Sequence, residues 1–320
     1  MSRTLLTLAV ASVLAALTGC SGGGGSPSTA ASGSGAPLPV VASFYPLQFA
    51  VQQVGGPLVS VSSLTKPGAE PHDLELSPQD VAAVSDAGLI VYSRGFQPAV
   101  DTAVDQEGSA HAFDVAPTAH LDLAAPPEGD DPTAAPATAD AASAPSSARD
   151  PHFWLDPQRY AAVVTAVGAR LGQADPAHAA DYAANAARFV GTLGRLDADL
   201  KAGLATCTNR DLVTSHAAFG YLSQRYGFTQ VAISGLSPDV EPSGSRLAEI
   251  ADFVKAHAVR TIYAETLVEP AFAQTVSRST GATVATLDPI EGLTTASAGR
   301  DYLEVMRSNL ATLRAGQGCA

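Results

Sequence analysis

The chain has 320 residues, of which 31 are acidic and 18 are Lys or Arg, so its formal net charge is −13. An acidic chain of this kind is not expected to bind nucleic acid, and its charge favours solubility and the attraction of cations. About 280 residues follow the N-terminal segments described next, which is enough for two lobes.

The first 39 residues predict an export signal followed by a tether. Arg3 and the apolar run that ends at Leu17 are typical of a signal peptide, here residues 1–19, because the run is too short for a lasting membrane anchor. The run leads into L-T-G-C, which resembles a bacterial lipobox, so we expect lipid on Cys20 and an anchor on the outer face of the cell membrane. A cysteine that merely follows an ordinary signal peptide is the alternative. Residues 20–39 are rich in Gly, Ser and Pro and predict a flexible tether.

The cysteine content agrees with export. If lipid occupies Cys20, Cys207 and Cys319 remain as a pair in an oxidising compartment, and we expect a disulfide between them. Two buried free thiols are the alternative. The chain has no C-x-x-C pair, and Cys207 is too far in sequence from the histidine motifs to be assigned as a metal ligand.

The first predicted lobe spans residues 40–174, where strands alternate with helices. This alternation predicts a mostly parallel sheet that binds ligands beyond the carboxyl ends of its strands. The predicted strands are Val40–Phe44, Leu58–Leu64 and Leu89–Tyr92, and the predicted helices are Leu47–Val54 and Pro78–Asp86. His72 follows the second strand and so lies at the ligand-binding edge, with an ordinary surface-loop histidine as the alternative.

Residues 117–150 interrupt the alternation with Ala, Pro, Ser and acidic residues, so we expect a disordered or mobile surface loop. The stretch D-P-H-F-W-L-D-P then places His152 beside bulky apolar side chains, between prolines that restrict the backbone. Neighbours of this kind orient an imidazole and exclude water, which favours a metal ligand. For this residue alone, a core histidine bonded to a carbonyl is the alternative.

Residues 175–205 predict one long helix that links two lobes. Asp175 suits the N-cap and Pro176 the first helical position. Apolar residues recur every three or four positions from Phe189 to Leu204, so one continuous apolar stripe faces inward. The 29 residues from Pro176 to Leu204 would measure roughly 43 Å, which predicts a rigid spine between the lobes.

Residues 206–320 repeat the alternation and predict a second α/β lobe. The predicted strands are Asp211–Thr214, Phe228–Ile233, Val259–Ala264 and Thr283–Leu287, and the predicted helices are Ala217–Tyr226, Leu247–Ala256, Ala271–Ser279 and Tyr302–Leu313. Three groups able to bind a metal follow the ends of strands, namely His216, Glu265 and Asp288. Because the carboxyl ends of parallel strands meet at one edge of a sheet, we expect these groups to cluster.

If the strand ends of the two lobes converge, His72 and His152 meet His216 and Asp288 around an ion in the interlobe cleft. Three imidazoles and one carboxylate suit Zn²⁺ better than a hard ion that prefers oxygen ligands. Four protein ligands leave no open position for an activated water, so the set favours carriage of the ion over catalysis.

Two further carboxylates compete for roles at this site. Glu70 is the rival of Asp288 as fourth ligand, but Pro71 restricts whether Glu70 and His72 can aim at one point. We expect Glu265 to accept a hydrogen bond from the other ring nitrogen of a ligand imidazole and so to fix its tautomer.

The chain contains, in this order, the motifs G-A-E-P-H-D-L-E-L-S-P, D-P-H-F-W-L-D-P, S-H-A-A-F-G-Y-L, G-L-S-P-D-V-E-P-S, E-T-L-V-E-P and L-D-P-I-E-G-L-T. Together they resemble the zinc-binding solute-binding proteins of metal ABC transporters, the cluster A-I or ZnuA/TroA-like family, from residue 40 to the C-terminus. The resemblance implies two lobes joined by a rigid helix, with His72, His152 and His216 as the histidine ligands and Asp288 in the carboxylate position. Manganese-binding members usually carry an acidic residue where His216 stands, so Zn²⁺ is implied and Mn²⁺ is less favoured.

The resemblance also implies a monomeric extracytoplasmic protein that captures Zn²⁺ and delivers it to an ABC permease and its ATPase, and not an enzyme. Many zinc-binding members have a histidine-rich loop where this chain has residues 117–150, which are nearly free of histidine. Two other functions remain open. One is a metallochaperone or adhesin that delivers zinc to a partner other than a permease; the other is a metal-dependent hydrolase, which would need an open coordination position and a base such as Glu265.

Overall fold

The computed structural model describes residues 36–125 and 149–320. The predicted signal peptide, the lipidation site Cys20, most of the tether and most of the Ala- and Pro-rich loop lie outside these residues. The described residues form two lobes, each built on a four-stranded parallel sheet, as the alternation of strands and helices predicts. Within these two ranges, no helix is both long and apolar enough to cross a membrane.

The first lobe contains the strands β1 (Leu38–Ala42), β2 (Val59–Ser63), β3 (Leu89–Tyr92) and β4 (Ala112–Asp114), and the helices α1 (Tyr45–Gly55), α2 (Pro78–Asp86), α3 (Pro98–Ala103) and α4 (Ala116–Ala119). Its strands pair in the order β2-β1-β3-β4. All four residues of β3 are buried, as expected for a parallel strand with both faces covered. The helix α4 occupies the start of the predicted loop, because Pro117 at its first turn presets a helical backbone.

Two long helices, α5 (Pro157–Ala174) and α6 (Ala179–Leu204), pack against each other and connect the lobes. With 26 residues α6 is about 39 Å long, so the predicted long connecting helix is confirmed. It begins three residues later than predicted, because Pro176–His178 form a 3₁₀ turn. The carboxylate of Asp175 binds the His178 ring and the Tyr182 hydroxyl there, at 2.6 and 2.8 Å, instead of capping the helix.

The second lobe contains β5 (Asp211–Thr214), β6 (Thr229–Ala232), β7 (Thr261–Ala264) and β8 (Thr283–Thr286), and the helices α7 (Gly220–Tyr226), α8 (Gly244–Ala256), α9 (Ala271–Thr280) and α10 (Tyr302–Gly316). Its strands pair in the order β6-β5-β7-β8, the same topology as in the first lobe. All strands are parallel, and in each sheet the order in which strands are added changes direction between the two central strands. The crevice beyond the carboxyl ends of these two strands is the usual place for a ligand.

One apolar core runs from the first lobe through α5 and α6 into the second. Its centre includes Trp154, which is fully buried and whose indole donates a hydrogen bond to the carbonyl of Pro289 at 2.7 Å. The hydroxyl of Tyr302 in turn donates to the carbonyl of Trp154 at 2.6 Å. Residues of both lobes therefore close the base of the interlobe cleft, and the functional site lies above them.

The predicted disulfide between Cys207 and Cys319 is confirmed. It joins the segment before β5 to the residues that follow α10, 112 positions apart in sequence. The bond therefore fastens the last helix to the second lobe.

Candidate metal centre

Three histidines from separate parts of the chain meet between the lobes. His72 lies in the loop after β2, His152 directly precedes a 3₁₀ turn at Phe153–Leu155, and His216 follows β5 by two residues. Their ring centroids are 5.3 to 6.0 Å apart. The side chains of His152 and His216 are fully buried and that of His72 is 10% exposed. The structure thus brings together the three histidines that the sequence singles out.

The carboxylate among these rings is Glu291, in the segment between β8 and α10. Its Oε1 atom lies 3.2 Å from Nε2 of His72, 3.0 Å from Nε2 of His152 and 3.3 Å from Nε2 of His216. The Glu291 side chain is 1% exposed, so this carboxylate faces the histidines and not water. Sequence reasoning missed this residue, although it stands in the L-D-P-I-E-G-L-T motif.

The predicted fourth ligand, Asp288, does not join this group. One oxygen of its carboxylate accepts a hydrogen bond from the Ile290 amide at 2.7 Å, and the other accepts from the Thr266 hydroxyl at 3.1 Å. The side chain of Asn309 binds both the amide and the carbonyl of Asp288, at 3.0 and 2.7 Å. Asp288 therefore shapes the turn that carries Glu291, and its carboxylate lies outside the group formed by Glu291 and the three histidines.

The alternative carboxylate, Glu70, also lies outside the group formed by the three Nε2 atoms and Glu291. Its Oε2 accepts hydrogen bonds from the backbone amides of His72 at 2.8 Å and Asp73 at 3.3 Å, which fixes the turn that presents His72. Burial, reinforced by the negative charge of Glu291, raises the pKa of Glu70 to about 8. Glu70, Asp73 and Asp239 form a second, more exposed acidic group.

Outer carboxylates hold two of the imidazoles in place. Oδ1 of Asp150 lies 2.8 Å from Nδ1 of His152 and also accepts from the His152 amide at 2.9 Å. Oε1 of Glu265 lies 2.6 Å from Nδ1 of His216, in ion-pair contact, and accepts from the His216 amide at 3.0 Å. The contact between Glu265 and the ring lacks the geometry of a hydrogen bond. The backbone amide of His216, and not its imidazole, therefore donates the hydrogen bond to Glu265. Both contacts leave the Nε2 atoms facing Glu291.

Charges at the site oppose the effect of burial. Burial alone would raise the pKa of Glu291, but the positive charge of His216 and hydrogen bonds from His152 and His72 hold that pKa well below its usual range. Burial would lower the pKa of His216, but Glu265 and Glu291 outweigh it and raise that pKa well above its usual range. In His72 burial prevails and the pKa is lowered. A cation therefore meets an ionised carboxylate and must displace a proton from an imidazole.

The spacing of these atoms suits a small tetrahedral cation. A zinc ion with bonds of about 2.0–2.1 Å holds its ligand atoms roughly 3.3 Å apart. The three separations between Oε1 of Glu291 and the histidine nitrogens, 3.0 to 3.3 Å, match that value. His216 also has no hydrogen bond of good geometry from either ring nitrogen among the described residues, although it is fully buried. Buried nitrogen atoms normally have a hydrogen-bond partner, so Nε2 of His216, which faces Glu291, points to a ligand at the centre of the group.

The sequence matches a known protein family and is similar to proteins of that family. Residues 40–316 match the family described as zinc-uptake complex component A, periplasmic, abbreviated ZnuA. The high-affinity zinc uptake system protein ZnuA of Bacillus subtilis is 35% identical over 295 residues, covering 91% of this chain and 91% of that protein.

The zinc-binding protein AdcA of Streptococcus pyogenes serotype M6 is 37% identical over 283 residues, covering 86% of this chain but 55% of AdcA. The chain thus spans about half the length of this relative. The Zn(II)-bound ZnuA-like domain of Streptococcus pneumoniae AdcA superimposes with a TM-score of 0.70 at 34% identity, covering 88% of this chain and 99% of that domain. The match therefore concerns the ZnuA-like part of AdcA.

Proposed function

Because this chain belongs to the ZnuA family of periplasmic zinc-uptake components, we propose that it captures Zn²⁺ outside the cytoplasm and delivers it to an ABC permease and its ATPase. His72, His152, His216 and Glu291 are the ligands in this proposal, with the ion at the centre of the three Nε2 atoms and Oε1. The ion is cargo, held by four protein atoms and released to the permease.

The observation that carries the proposal is the set of three Nε2 atoms within 3.0 to 3.3 Å of one buried carboxylate oxygen. Imidazole nitrogens suit zinc, whereas manganese prefers oxygen ligands, so the three-to-one ratio of nitrogen to oxygen favours Zn²⁺ over Mn²⁺. Three of the four side chains are buried and that of His72 is only 10% exposed, which leaves little room for a reactive water and supports binding over catalysis.

The sequence and a relative support a location at the outer face of the cell membrane. The signal-like segment at residues 1–19 and the lipobox-like L-T-G-C support export and a lipid anchor at Cys20. A relative from Streptococcus pneumoniae, 34% identical over 280 residues, is named zinc-binding lipoprotein AdcA. A tethered monomer at the outer face of the membrane would keep the zinc site close to its permease.

Titration of the metal-stripped protein with Zn²⁺ and Mn²⁺ tests the binding part of the proposal. We expect one tight Zn²⁺ per chain in native mass spectrometry and calorimetry, with much weaker Mn²⁺. His152→Ala should abolish tight binding, because it removes a fully buried ligand. His111→Ala is the matched control, since His111 is exposed and lies outside the site. Zinc binding unchanged by His152→Ala would refute the assignment.

Uptake of radioactive zinc by cells tests the delivery part. Cells that carry the wild-type protein or His111→Ala should accumulate zinc from a chelator-treated medium, and cells that carry His152→Ala should not. If the purified protein binds zinc tightly but cells that lack the protein take up zinc normally, the assignment of Zn²⁺ is supported and the assignment of the ABC permease as partner is refuted.

A further inference from the structure

The two fully buried histidines are oriented in different ways. Glu265, which contacts Nδ1 of His216, follows β7 in the same lobe as His216. His152 belongs to the first lobe, and its partner Asp150 contacts α7 of the second lobe. The orientation of one histidine is therefore local, whereas that of the other depends on contact between the lobes.

Asp150 is held by two other segments of the chain. Its amide donates to the carbonyl of Leu123 at 3.0 Å, and its carbonyl accepts from the hydroxyl of Tyr221 at 2.9 Å. Tyr221 is itself fixed, because it is fully buried and the guanidinium of Arg159 lies over its ring at 4.4 Å. Asp150 is 3% exposed, so it has little freedom to adopt another position.

Gly220, the first residue of α7, gives the Asp150 carboxylate its space. A Cβ atom at position 220 would lie 2.4 Å from Oδ2 of Asp150, a separation that requires one of them to move. The other close neighbour is the flexible end of the Leu123 side chain, at 3.1 Å. Because Oδ1 of the same carboxylate contacts Nδ1 of His152, displacement of Asp150 would turn the imidazole.

We propose that Gly220 and Tyr221 of α7 are positioning residues for zinc binding, acting on His152 of the opposite lobe through Asp150. The inference rests on the proposed zinc function and deepens it. Zinc affinity then depends on the packing of α7 against Asp150. A change in this contact between the lobes would change the orientation of the His152 ring and therefore the position of its Nε2 atom. Loss of an outer partner of a metal-bound histidine typically lowers affinity by about 10 to 100-fold, which sets the expected scale.

A double-mutant cycle on the full chain tests the proposal. We expect Gly220→Ala to lower zinc affinity at least about tenfold in calorimetric competition with a chelator. In the background Asp150→Ala the same change should add less than about twofold, because the carboxylate that it displaces is gone. Gly244→Ala is the matched control, since Gly244 is the first residue of α8 in the same lobe and its Cβ would meet nothing within 4 Å.

Two results would overturn the positioning role. One is wild-type zinc affinity in Gly220→Ala, and the other is an equal loss of affinity when Gly220→Ala is made in the wild-type protein and in Asp150→Ala. If Gly220→Ala fails to fold, Tyr221→Phe decides, because it removes only the hydroxyl that binds the Asp150 carbonyl. Tyr221→Phe should weaken zinc binding several-fold and shift the ring ¹⁵N resonances of His152, and unchanged affinity and resonances would refute the inference. A wild-type protein that binds no zinc would instead refute the proposed function.

Discussion

Glu291 reaches the three histidines because of an unusual backbone conformation one residue earlier. Ile290 has a φ of +60°, a left-handed value that is unfavourable for a β-branched side chain and costs roughly 1–3 kcal/mol. The hydrogen bond from its amide to Asp288, together with the two bonds between Asp288 and Asn309, stabilises this turn. Strain near the site is thus offset by a buried polar network behind it.

The two acidic residues of this turn should differ sharply on substitution. Glu291→Gln keeps the shape but removes the charge, and we expect zinc affinity to fall by more than about 100-fold, beyond the range typical of outer partners. Asp288→Asn retains an oxygen for the Ile290 amide and should lower affinity by about tenfold or less. Calorimetric titration of both variants checks the assignment. A larger loss of zinc affinity in Asp288→Asn than in Glu291→Gln would indicate that Asp288 is the ligand.

Zinc affinity should fall as the pH falls. Glu265 and Glu291 raise the pKa of His216 well above its usual range, so the metal-free site holds a proton at neutral pH. Zinc must displace that proton, and release of one proton changes affinity about tenfold per pH unit below the raised pKa. Calorimetry in buffers of different ionisation enthalpy measures the release. Glu265→Gln should reduce it, and an unchanged release would contradict this origin of the proton.

At the level of elements, the packing of α5 against α6 depends on a glycine. A Cβ at Gly168 of α5 would lie 2.8 Å from Cβ of Ala186 and 3.4 Å from the carbonyl of Tyr182, both on α6. The two helices therefore approach closely at this point, and a methyl group there would force them apart. Since these helices connect the lobes, their spacing also affects the cleft.

Paired substitutions on the two helices should have opposite effects on stability. Gly168→Ala should lower the free energy of unfolding by about 1–3 kcal/mol, as overpacking of a tight core does. Gly194→Ala in α6 should raise it by about 0.5–1 kcal/mol, because its Cβ meets nothing within 4 Å and Ala favours a helix. Urea unfolding of the zinc-free proteins measures both. A neutral Gly168→Ala would show that the helices can adjust.

Regular elements and the histidines at their ends were accessible from the sequence. Alternating strands and helices predict both sheets, and the rule that ligands gather at strand carboxyl ends predicts that His72 and His216 converge. The short β4 gives no periodic signal, because it has three half-buried residues. Glu291 could not be chosen over Asp288, because its direction depends on the φ of Ile290 and on Asn309, which lies 21 residues after Asp288 and contacts it only in the fold.

At the scale of the whole molecule, the disulfide and the candidate metal centre lie at opposite ends of the strands of the second sheet. Cys207 precedes β5, whereas His216 follows it. Removal of the disulfide by Cys207→Ala and Cys319→Ala should destabilise the protein by about 2–5 kcal/mol, since the unfolded chain loses a long closed loop. Zinc affinity should stay within about twofold of wild type. Urea unfolding and zinc titration of the double variant check both values. A large loss of zinc affinity would show that the disulfide affects the metal site at the other end of the strands.

The single tryptophan gives this molecule an intrinsic optical reporter. Trp154 has its ring 5.2 Å from that of His152, and its indole binds the carbonyl of Pro289, two residues before Glu291. Its emission is therefore sensitive both to the charge on a site histidine and to the contact between the lobes. Fluorescence recorded while zinc enters or leaves would follow the arrival of the ion and the seating of the lobes without any added dye.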